Sequence, residues 1–406
     1  MSLSRLSYLL VGRGDTKPTK PVRFKDGDMK FKQEIIANNP IQNNRWNALN
    51  AVKSKITTDW SYNFDLDYNE AVHFLSVALG SMTSTDIGST TGAVFRHVIT
   101  VANSLPSLTI EQLKGDQTDT SNNRQNYMVD RAFGVMVDEL TIQGSEGILN
   151  LAIKAKAQGI FQKAAILANV TSGSGVVISV ATAEGLFIGD SLNVFDKTPQ
   201  NEVVSVTAKS IAARTVTATL TQAHTVANEA KIELVPQVVS YSTPAKVATF
   251  THARFQFGAD LTAAASANLE NVENWEITFK NGLEERYGSL RASPSVIAPK
   301  GASCMLKYTK YFENVEDRDR YLNQTKRSLI MTITNDEIIA SSDTNQAKYS
   351  IKFEASDVRF TEYDVPTGTD ELYAVSCQAE CYYDFTDGNA VRFTIQNSKV
   401  WTFYTA

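Results

Sequence analysis

The chain has 406 residues and a formal net charge of −5, and 43% of its residues are hydrophobic while 20% are charged. The composition indicates a folded chain, and the length indicates two or three domains. The net charge excludes a globally basic surface for binding nucleic acid. No apolar run is long enough to cross a bilayer, and "YLLVG" near the start is too short for the core of a secretion signal. Three cysteines do not make a disulfide framework, so we expect folding in a reducing cytoplasm.

The N-terminal third contains an unusual change of period. Residues 1–28 are basic and rich in Pro and Gly, which favours an extended N-terminal arm. Apolar residues then alternate strictly with polar ones from Trp60 to Tyr68, the period of a half-buried strand. From Asn69 they cluster with helical spacing as far as Gly80. The sequence therefore predicts a strand that runs almost directly into a short helix.

Strand patterns dominate the rest of the chain, with two further segments that look helical, 154–167 and 314–325. Two long hairpins are predicted, over residues 133–158 and 349–384. A polar connection at 115–126 has the length of a functional or disordered loop.

Residues 169–238 differ from their surroundings. This block has no Trp, Tyr, Cys or Met and consists of short Val/Thr/Ala runs with Gly- and Pro-containing turns. That pattern is typical of a small independent β-barrel or sandwich, which we interpret as an inserted domain. A self-contained insert would be dispensable for folding, so a short Gly/Ser linker is expected to replace it.

The same order of elements occurs before and after the insert: a hairpin, a strand that runs into a helix, a strand and a long hairpin. The pattern predicts a duplication. The predicted fold class is mainly β, with two tandem β-sandwich or barrel domains (29–168 and 239–406), each with a short flanking helix, plus the small all-β insert.

No pattern of catalytic or metal-binding residues is present. The four histidines are not in a metal-ligand spacing, and His73 lies inside the predicted helix, where a structural role is expected. "DLDYNE" at 65–70 imitates the start of a calcium loop but lacks its Gly and Glu, so Asp65 and Asp67 are expected on the wet face of the strand. Cys377 and Cys381 have no second ligand pair and are expected to pack in the core. We therefore expect no enzymatic activity, no cofactor and no metal.

The strand and turn patterns at 97–111, 133–159, 272–288 and 310–323 together resemble bacteriophage tail tube (major tail) proteins. The resemblance covers roughly residues 1–165 and 245–406. It implies two packed β-sheets flanked by a helix, with strand edges of neighbouring subunits joined around a pore, and long hairpins and the arm reaching the next ring. Small β-domains similar to the insert decorate the outside of phage tails.

The resemblance also implies a function. The chain would be a structural virion protein of a siphophage tail, assembled in the host bacterial cytoplasm into stacked rings that conduct double-stranded DNA during ejection. Its partners would be further copies of itself, the tail tape-measure protein and the tail-tip and terminator proteins, without membrane insertion. Related tubes with one domain per chain close as hexamers, so a duplicated chain is expected to form pseudo-hexameric trimers.

Other functions are compatible with a β-rich chain. The protein could belong to a contractile injection machine or to a tail tip. It could also be a β-rich adhesin or carbohydrate-binding protein with the insert as binder, or a hydrolase on a β scaffold, although neither class has its expected residues here.

The lining of the pore is expected to be neutral to acidic, because a basic lumen would bind DNA phosphates and stall the duplex. Asn281-Gly282 marks a hairpin turn, and four carboxylates cluster around it. The candidate lumen-facing residues are Glu273, Glu276, Glu284 and Glu285.

Overall fold

The computed structural model of the chain is dominated by antiparallel strands. Strands account for 59% of it and helices for 8%, which confirms the mainly β class. None of the helices described has the length and apolar character needed to span a membrane. The described residues are 7–38, 50–115, 127–198, 200–241, 244–289, 292–312, 315–341, 343–365, 374–400, 402 and 404.

The elements fall into three consecutive groups. The first group is β1 (Tyr8–Arg13), β2 (Lys20–Val22), β3 (Asp26–Asn38), β4 (Asn50–Asp65), α1 (Ala71–Leu79), β5 (Gly80–Asp86), β6 (Phe95–Val101), β7 (Leu108–Gly115), β8 (Tyr127–Gly144), β9 (Asn150–Ala157) and β10 (Gly159–Phe161). The second is β11 (Lys163–Ala165), β12 (Gly173–Ser179), β13 (Ser191–Phe195), β14 (Asn201–Ser205), β15 (Ala208–Ser210), β16 (Thr215–Leu220) and β17 (Lys231–Leu234). The third is β18 (Ala253–Gly258), α2 (Leu261–Ala265), β19 (Val272–Lys280), β20 (Leu283–Tyr287), β21 (Pro294–Pro299), β22 (Ser303–Tyr311), α3 (Glu316–Leu322), β23 (Arg327–Ile338), β24 (Lys348–Asp364), β25 (Ala374–Tyr382) and β26 (Val391–Asn397).

One sheet runs through both outer groups. Its order is β3-β4-β9-β8-β19-β22-β25-β24, and every neighbouring pair is antiparallel. We call it the eight-stranded sheet. The pairing of β8 with β19 is the point at which the first group joins the third, and we call this pairing the internal junction.

The strands β8 and β24 are long enough to belong to two sheets each. The N-terminal part of β8 lies in a second sheet of order β2-β1-β7-β8-β10. The N-terminal part of β24 lies in a second sheet of order β18-β23-β24-β26, which β6 and β5 extend. Both groups therefore repeat one pairing scheme, with β1, β3, β4, β7, β8, β9 and β10 equivalent to β18, β19, β22, β23, β24, β25 and β26.

The equivalence extends to the irregularities of the ladders. In β8 a bulge separates Val137 from Glu139 opposite β9, and in β24 a bulge separates Phe360 from Glu362 opposite β25. A second pair of bulges lies in the ladders β7·β8 and β23·β24. Because a bulge turns a strand and increases its twist, these positions are where each long strand passes from one sheet to the other.

The two predicted long hairpins are confirmed as β8–β9 and β24–β25, although residues 366–373 lie outside the described residues. The helix predicted over 154–167 is wrong, because β9, β10 and β11 occupy this segment. Alanine and lysine favour helices locally, but Leu151, Ile153 and Ala155 alternate into the core between β4 and β8. The polar connection predicted at 115–126 lies, from residue 116 on, outside the described residues.

The predicted arm of residues 1–28 is in large part built into the fold. Strand β1 pairs with β2 on one side and β7 on the other, and its residues Tyr8 to Val11 are buried. The apolar run that is too short for a secretion signal is therefore a core strand. Residues 1–6 lie outside the described residues.

The helix α1, which follows β4, is buried over its whole length and packs against β5, β6 and β8. It ends at Gly80, whose φ of 99° suits glycine, and a Cβ there would lie 2.6 Å from the carbonyl oxygen of Ser104. The helix α3, at the equivalent place after β22, is shorter, and Asp317 is its only buried residue. The strand-into-helix unit is thus present twice, with a fully buried helix only in the first copy.

The second group of strands forms two small sheets of order β11-β17-β13-β14 and β12-β16-β15. The core between them is continuous with the sheet that carries them, because one apolar cluster joins the buried residues of the insert to Tyr8, Leu10, Leu113 and Val129 of β1, β7 and β8. The insert therefore shares its core with the sheet that carries it. Replacing residues 169–238 by a linker would uncover these four side chains, and the outcome for folding stays a prediction.

A buried ion cluster lies at the same boundary. The Arg131 guanidinium of β8 donates from Nε to Oε2 of Glu111 at 2.9 Å and from Nη1 to Oδ2 of Asp190 at 2.5 Å, and all three side chains are 1% exposed. Tyr8 donates its hydroxyl to the other oxygen of Glu111 at 2.7 Å. Since Asp190 belongs to the insert, this cluster fixes the insert to β7 and β8.

Replacing Arg131 by Met is expected to lower the free energy of unfolding by about 3–5 kcal/mol, because two buried carboxylates lose their cation. Chemical denaturation followed by tryptophan fluorescence measures the change. Arg318→Met is the matched control, because Arg318 is half exposed and pairs with its neighbour Asp319. Equal stabilities of the two variants would contradict a structural role for the cluster.

His73 in α1 predicts a dependence of stability on pH. Burial lowers its pKa from 6.5 to about 3, so below pH 6.5 the unfolded chain binds a proton that the folded chain does not. The contribution of His73 to the free energy of unfolding is fully present above pH 6.5. It decreases by about 1.4 kcal/mol per pH unit as the pH falls towards 3.

The measurement is the difference in unfolding free energy between the protein and its His73→Gln variant from pH 7 to pH 5. This difference should shrink as the pH falls, because the variant lacks the titrating ring. The control Ser76→Ala removes a buried hydroxyl of the same helix and should differ from the parent by a constant amount. A constant difference for both variants would contradict the assignment.

Candidate assembly surface

The eight-stranded sheet has one apolar and one polar face. Side chains such as Trp60, Leu140 and Ile277 alternate into the main core, and the residues between them point to the other side. This polar face carries both acidic and basic residues, and the acidic ones are more numerous. They include Asp26, Asp28, Asp59, Asp65, Glu139, Glu276, Asp357, Glu362, Asp364 and Glu380, and Lys30, Lys32, Lys154, Lys156, Lys280, Lys307 and Arg359.

The internal junction is held by matched pairs on both faces. On the polar face, Lys280 of β19 lies 2.9 Å from Glu139 of β8, which also accepts from Lys154 of β9 at 2.7 Å. Although burial acts to raise the pKa of Glu139, hydrogen bonds from these lysines hold it below its ordinary value. The hydroxyls of Thr141 and Thr278 lie 3.1 Å apart.

On the core face of the junction, apolar side chains stand opposite each other. Leu140 is paired with Phe279 and Ile142 with Ile277, and all four are buried. The internal junction therefore combines a ladder of backbone hydrogen bonds with an apolar seam on one face and a polar seam on the other.

The eight-stranded sheet ends in two strand edges. In the part of the chain that the structure describes, β3 pairs only with β4, and residues 359–364 of β24 pair only with β25. Phe31 of β3 is 48% exposed, although strand alternation places its side chain on the apolar face, two residues after the buried Met29. Exposed strand edges with apolar side chains are templates for pairing with another chain.

The four candidate lumen carboxylates are not brought together. Glu276 lies on the polar face of β19, and Glu273 stands at the start of the same strand, where its hydrogen bond with Tyr311 raises the pKa of that phenol. Glu284 and Glu285 lie on β20, which pairs with β21 in a separate two-stranded sheet. The Glu284 carboxylate is 3.5 Å from Lys300, and Tyr287 donates to Glu285 at 3.0 Å.

Sequence reasoning missed the residues that make the internal junction. Strand alternation places Glu139 and Lys280 on polar faces, but nothing local identifies their partners, which are distant in the sequence. The Asn281-Gly282 turn ends β19, but the hairpin predicted around it is wrong, because β19 pairs with β8 and β22 whereas β20 pairs with β21. The Asn281 side chain donates to the carbonyl oxygens of Ala78 and Val137 at 2.8 and 2.9 Å, which fixes this turn against α1 and β8.

No constellation suited to metal binding is present among the described residues, which contain no group of three or more His, Cys, Asp or Glu able to hold an ion. Asp67 is buried rather than on a wet face, and burial raises its pKa. Its carboxylate accepts from the backbone N–H of Asn69 at 2.7 Å and of Glu70 at 3.1 Å, so it stabilises the turn from β4 to α1. Cys377 and Cys381 are buried free thiols, as predicted, and burial raises the pKa of Cys377 to about 12.

Comparison with known proteins identifies the family. No curated protein sequence matches the chain. The family model described as phage tail tube protein matches residues 4–369, which include both repeated groups of strands and the insert between them. A match over most of the chain shows membership. The chain therefore belongs to the phage tail tube protein family.

Proposed function

We propose that this protein is the structural subunit of a phage tail tube and acts by polymerising into stacked rings, not by catalysis. The observation that carries the proposal is the eight-stranded sheet, which has one polar face and, within the described residues, an unpaired strand edge at each end. Such a sheet is a segment of wall that is completed by its neighbours. The polar face would line a channel through which double-stranded DNA leaves the capsid during ejection.

The repeated pairing scheme supports a ring of three chains. Each chain supplies two equivalent groups of strands, so three chains supply six tube units, the number that single-unit subunits reach as hexamers. Every ring would contain three internal junctions and three junctions between chains. A ring of this kind is a closed head-to-tail assembly in which each edge meets a different edge.

The charge of the polar face supports the passage of DNA. Its acidic residues outnumber its basic ones, and several of the basic residues are already paired, as Lys154 and Lys280 are with Glu139. A lining without net positive charge displaces few of the counterions that are condensed on DNA. It therefore binds the duplex weakly. Among the four carboxylates predicted for the lumen, Glu276 is the one whose position on this face fits the role.

We further propose partners and a location for the tube. The tube would be assembled in the cytoplasm of the host bacterium around the tail tape-measure protein, and it would contact tail-tip and terminator proteins at its ends. The insert, which the core shared with β1, β7 and β8 anchors to the second sheet, would project from the outer surface as decoration. An adhesin or carbohydrate-binding role gains no support, because residues 169–238 contain no Trp or Tyr on which a sugar would stack.

Averaged electron-microscopy images of assembled tails should show threefold symmetry with three projecting inserts in each ring. The physical reason is that every chain carries one insert but two tube units. Sixfold symmetry with six projections per ring would contradict the trimeric arrangement. Compact, unassembled protein in place of tubes would contradict the tube function itself.

Glu276→Lys in the virion should slow DNA release, because it adds a cation to each of the three chains of every ring. The rate is measured on purified virions after triggered ejection at low and at raised salt. The delay should become shorter as the salt concentration rises. Each added phosphate contact makes the logarithm of the DNA-binding constant fall with the logarithm of the salt concentration, with a slope of about one.

The control for this experiment is Glu229→Lys, which makes the same charge change in the insert, where Glu229 is half exposed. It should leave the rate unchanged. Equal release from both variants at low salt would show that Glu276 does not face the channel.

A further inference from the structure

We infer that the junction between chains copies the internal junction: β24 of one copy pairs, antiparallel, with β3 of the next copy in the register that joins β8 to β19. The occupant of each free edge is therefore a second copy of this chain. This inference rests on the proposed ring and specifies the residues that close it.

The register of β24 follows from its equivalence with β8. Val135 stands opposite Leu108 and Val358 opposite Arg327, and the next bulge follows Val137 in one strand and Phe360 in the other. Counting from the bulges, Glu139 of the internal junction corresponds to Glu362. Two residues further on, Thr141 corresponds to Asp364.

The register of β3 follows in the same way from its equivalence with β19. Trp60 of β4 and Leu306 of β22 occupy the same place, since they stand opposite Ala155 of β9 and Ala379 of β25. Met29 faces Trp60, and Ile277 faces Leu306. Lys280 of the internal junction therefore corresponds to Lys32, and Thr278 to Lys30.

Superposing the two equivalences gives the pairs between chains. On the polar face Glu362 stands opposite Lys32 and Asp364 opposite Lys30, each an acid against a base. All four side chains are exposed, and none has an ion pair or side-chain hydrogen bond to another described residue. The Glu139–Lys280 pair of the internal junction thus has a charge-matched counterpart between chains.

The core face is matched as well. Tyr363 would stand opposite Phe31, and Val365 opposite Met29. Tyr363 and Val365 already pack at the border of the main core, whereas Phe31 is 48% exposed in the single chain. Pairing would cover Phe31 just as the internal junction covers Phe279, its equivalent on β19. The exposure of a large aromatic side chain on β3 is explained by a partner that is absent from the isolated subunit.

The charges also oppose wrong pairings. Two β3 edges paired antiparallel about Lys30 and Lys32 would place lysines against lysines, and two β24 edges paired about Glu362 and Asp364 would place carboxylates against carboxylates. Like charges directly opposite each other in a sheet are destabilising. The charge pattern therefore selects the head-to-tail order that closes a ring and disfavours symmetric dimers.

A charge exchange tests the register in tubes purified from host cells that express the full chain with the other tail proteins. Lys32→Glu and Glu362→Lys, each alone, should reduce the amount of assembled tube by about tenfold, since every junction between chains then carries a like-charge pair. The double variant should restore assembly. Thermal unfolding of the unassembled variants should match the parent, because both side chains are solvent-exposed.

Cysteine cross-linking gives a second measurement that does not depend on yield. Lys32→Cys combined with Glu362→Cys places two thiols directly opposite each other, and mild oxidation of tubes should give covalent species that end at three chains. Lys30→Cys with Glu362→Cys is the matched control, because diagonal positions in a sheet are about 7–8 Å apart and too distant for a disulfide.

The outcomes separate the register from the function. Tubes that form in the parent, together with failure of the double charge variant and of the 32–362 cross-link, would overturn the register and leave the tube function standing. Cross-linking of the 30–362 pair in place of the 32–362 pair would do the same. Absence of tubes from the parent protein would overturn both.

Discussion

The structure depends on two strands that each belong to two sheets. A long strand needs partners for its backbone groups along its length, and β8 and β24 find them by passing from one sheet to another at a bulge. These passages fix the relative position of the sheets that cover α1, and they place β8 beside β19. Because both strands obey the same constraint, the two groups of strands share one pairing scheme, and in the described part of the chain β3 and residues 359–364 of β24 are each left with one unpaired edge.

The insert is held firmly on the sheet that carries it. Its strands close an apolar cluster that also includes residues of β1, β7 and β8, and Arg131 bridges Glu111 of β7 to Asp190 of the insert. A buried cation between two carboxylates contributes orientation, since its hydrogen bonds are satisfied in one geometry only. The N-terminal strand β1 takes part in the same cluster, so a segment that looks like a free arm is needed to join insert and tube unit.

Much of the fold could be predicted where the signal is local. The alternation from Trp60 to Tyr68 and the stop at Gly80 define β4 and α1, and the repeated order of elements indicated the duplication. Residues 154–167 were predicted wrongly because alanine and lysine favour a helix locally, whereas pairing with β4 and β8 decides the outcome. The contact between Glu139 and Lys280 could not be predicted, since the register of strands distant in sequence depends on the whole sheet. Asp67 was misplaced because its partners are backbone N–H groups, which leave no mark in the side-chain pattern.

We infer that one chain supplies two equivalent wall units joined by two copies of one junction, one inside the chain and one between chains. A density map of the assembled tail tube at side-chain resolution distinguishes this arrangement from others. We expect a continuous barrel of three chains, in which β24 and the β3 of the next chain superpose on β8 and β19 with Glu362 beside Lys32. A barrel in which β3 or β24 lies unpaired, or in which a different strand closes the ring, would contradict it.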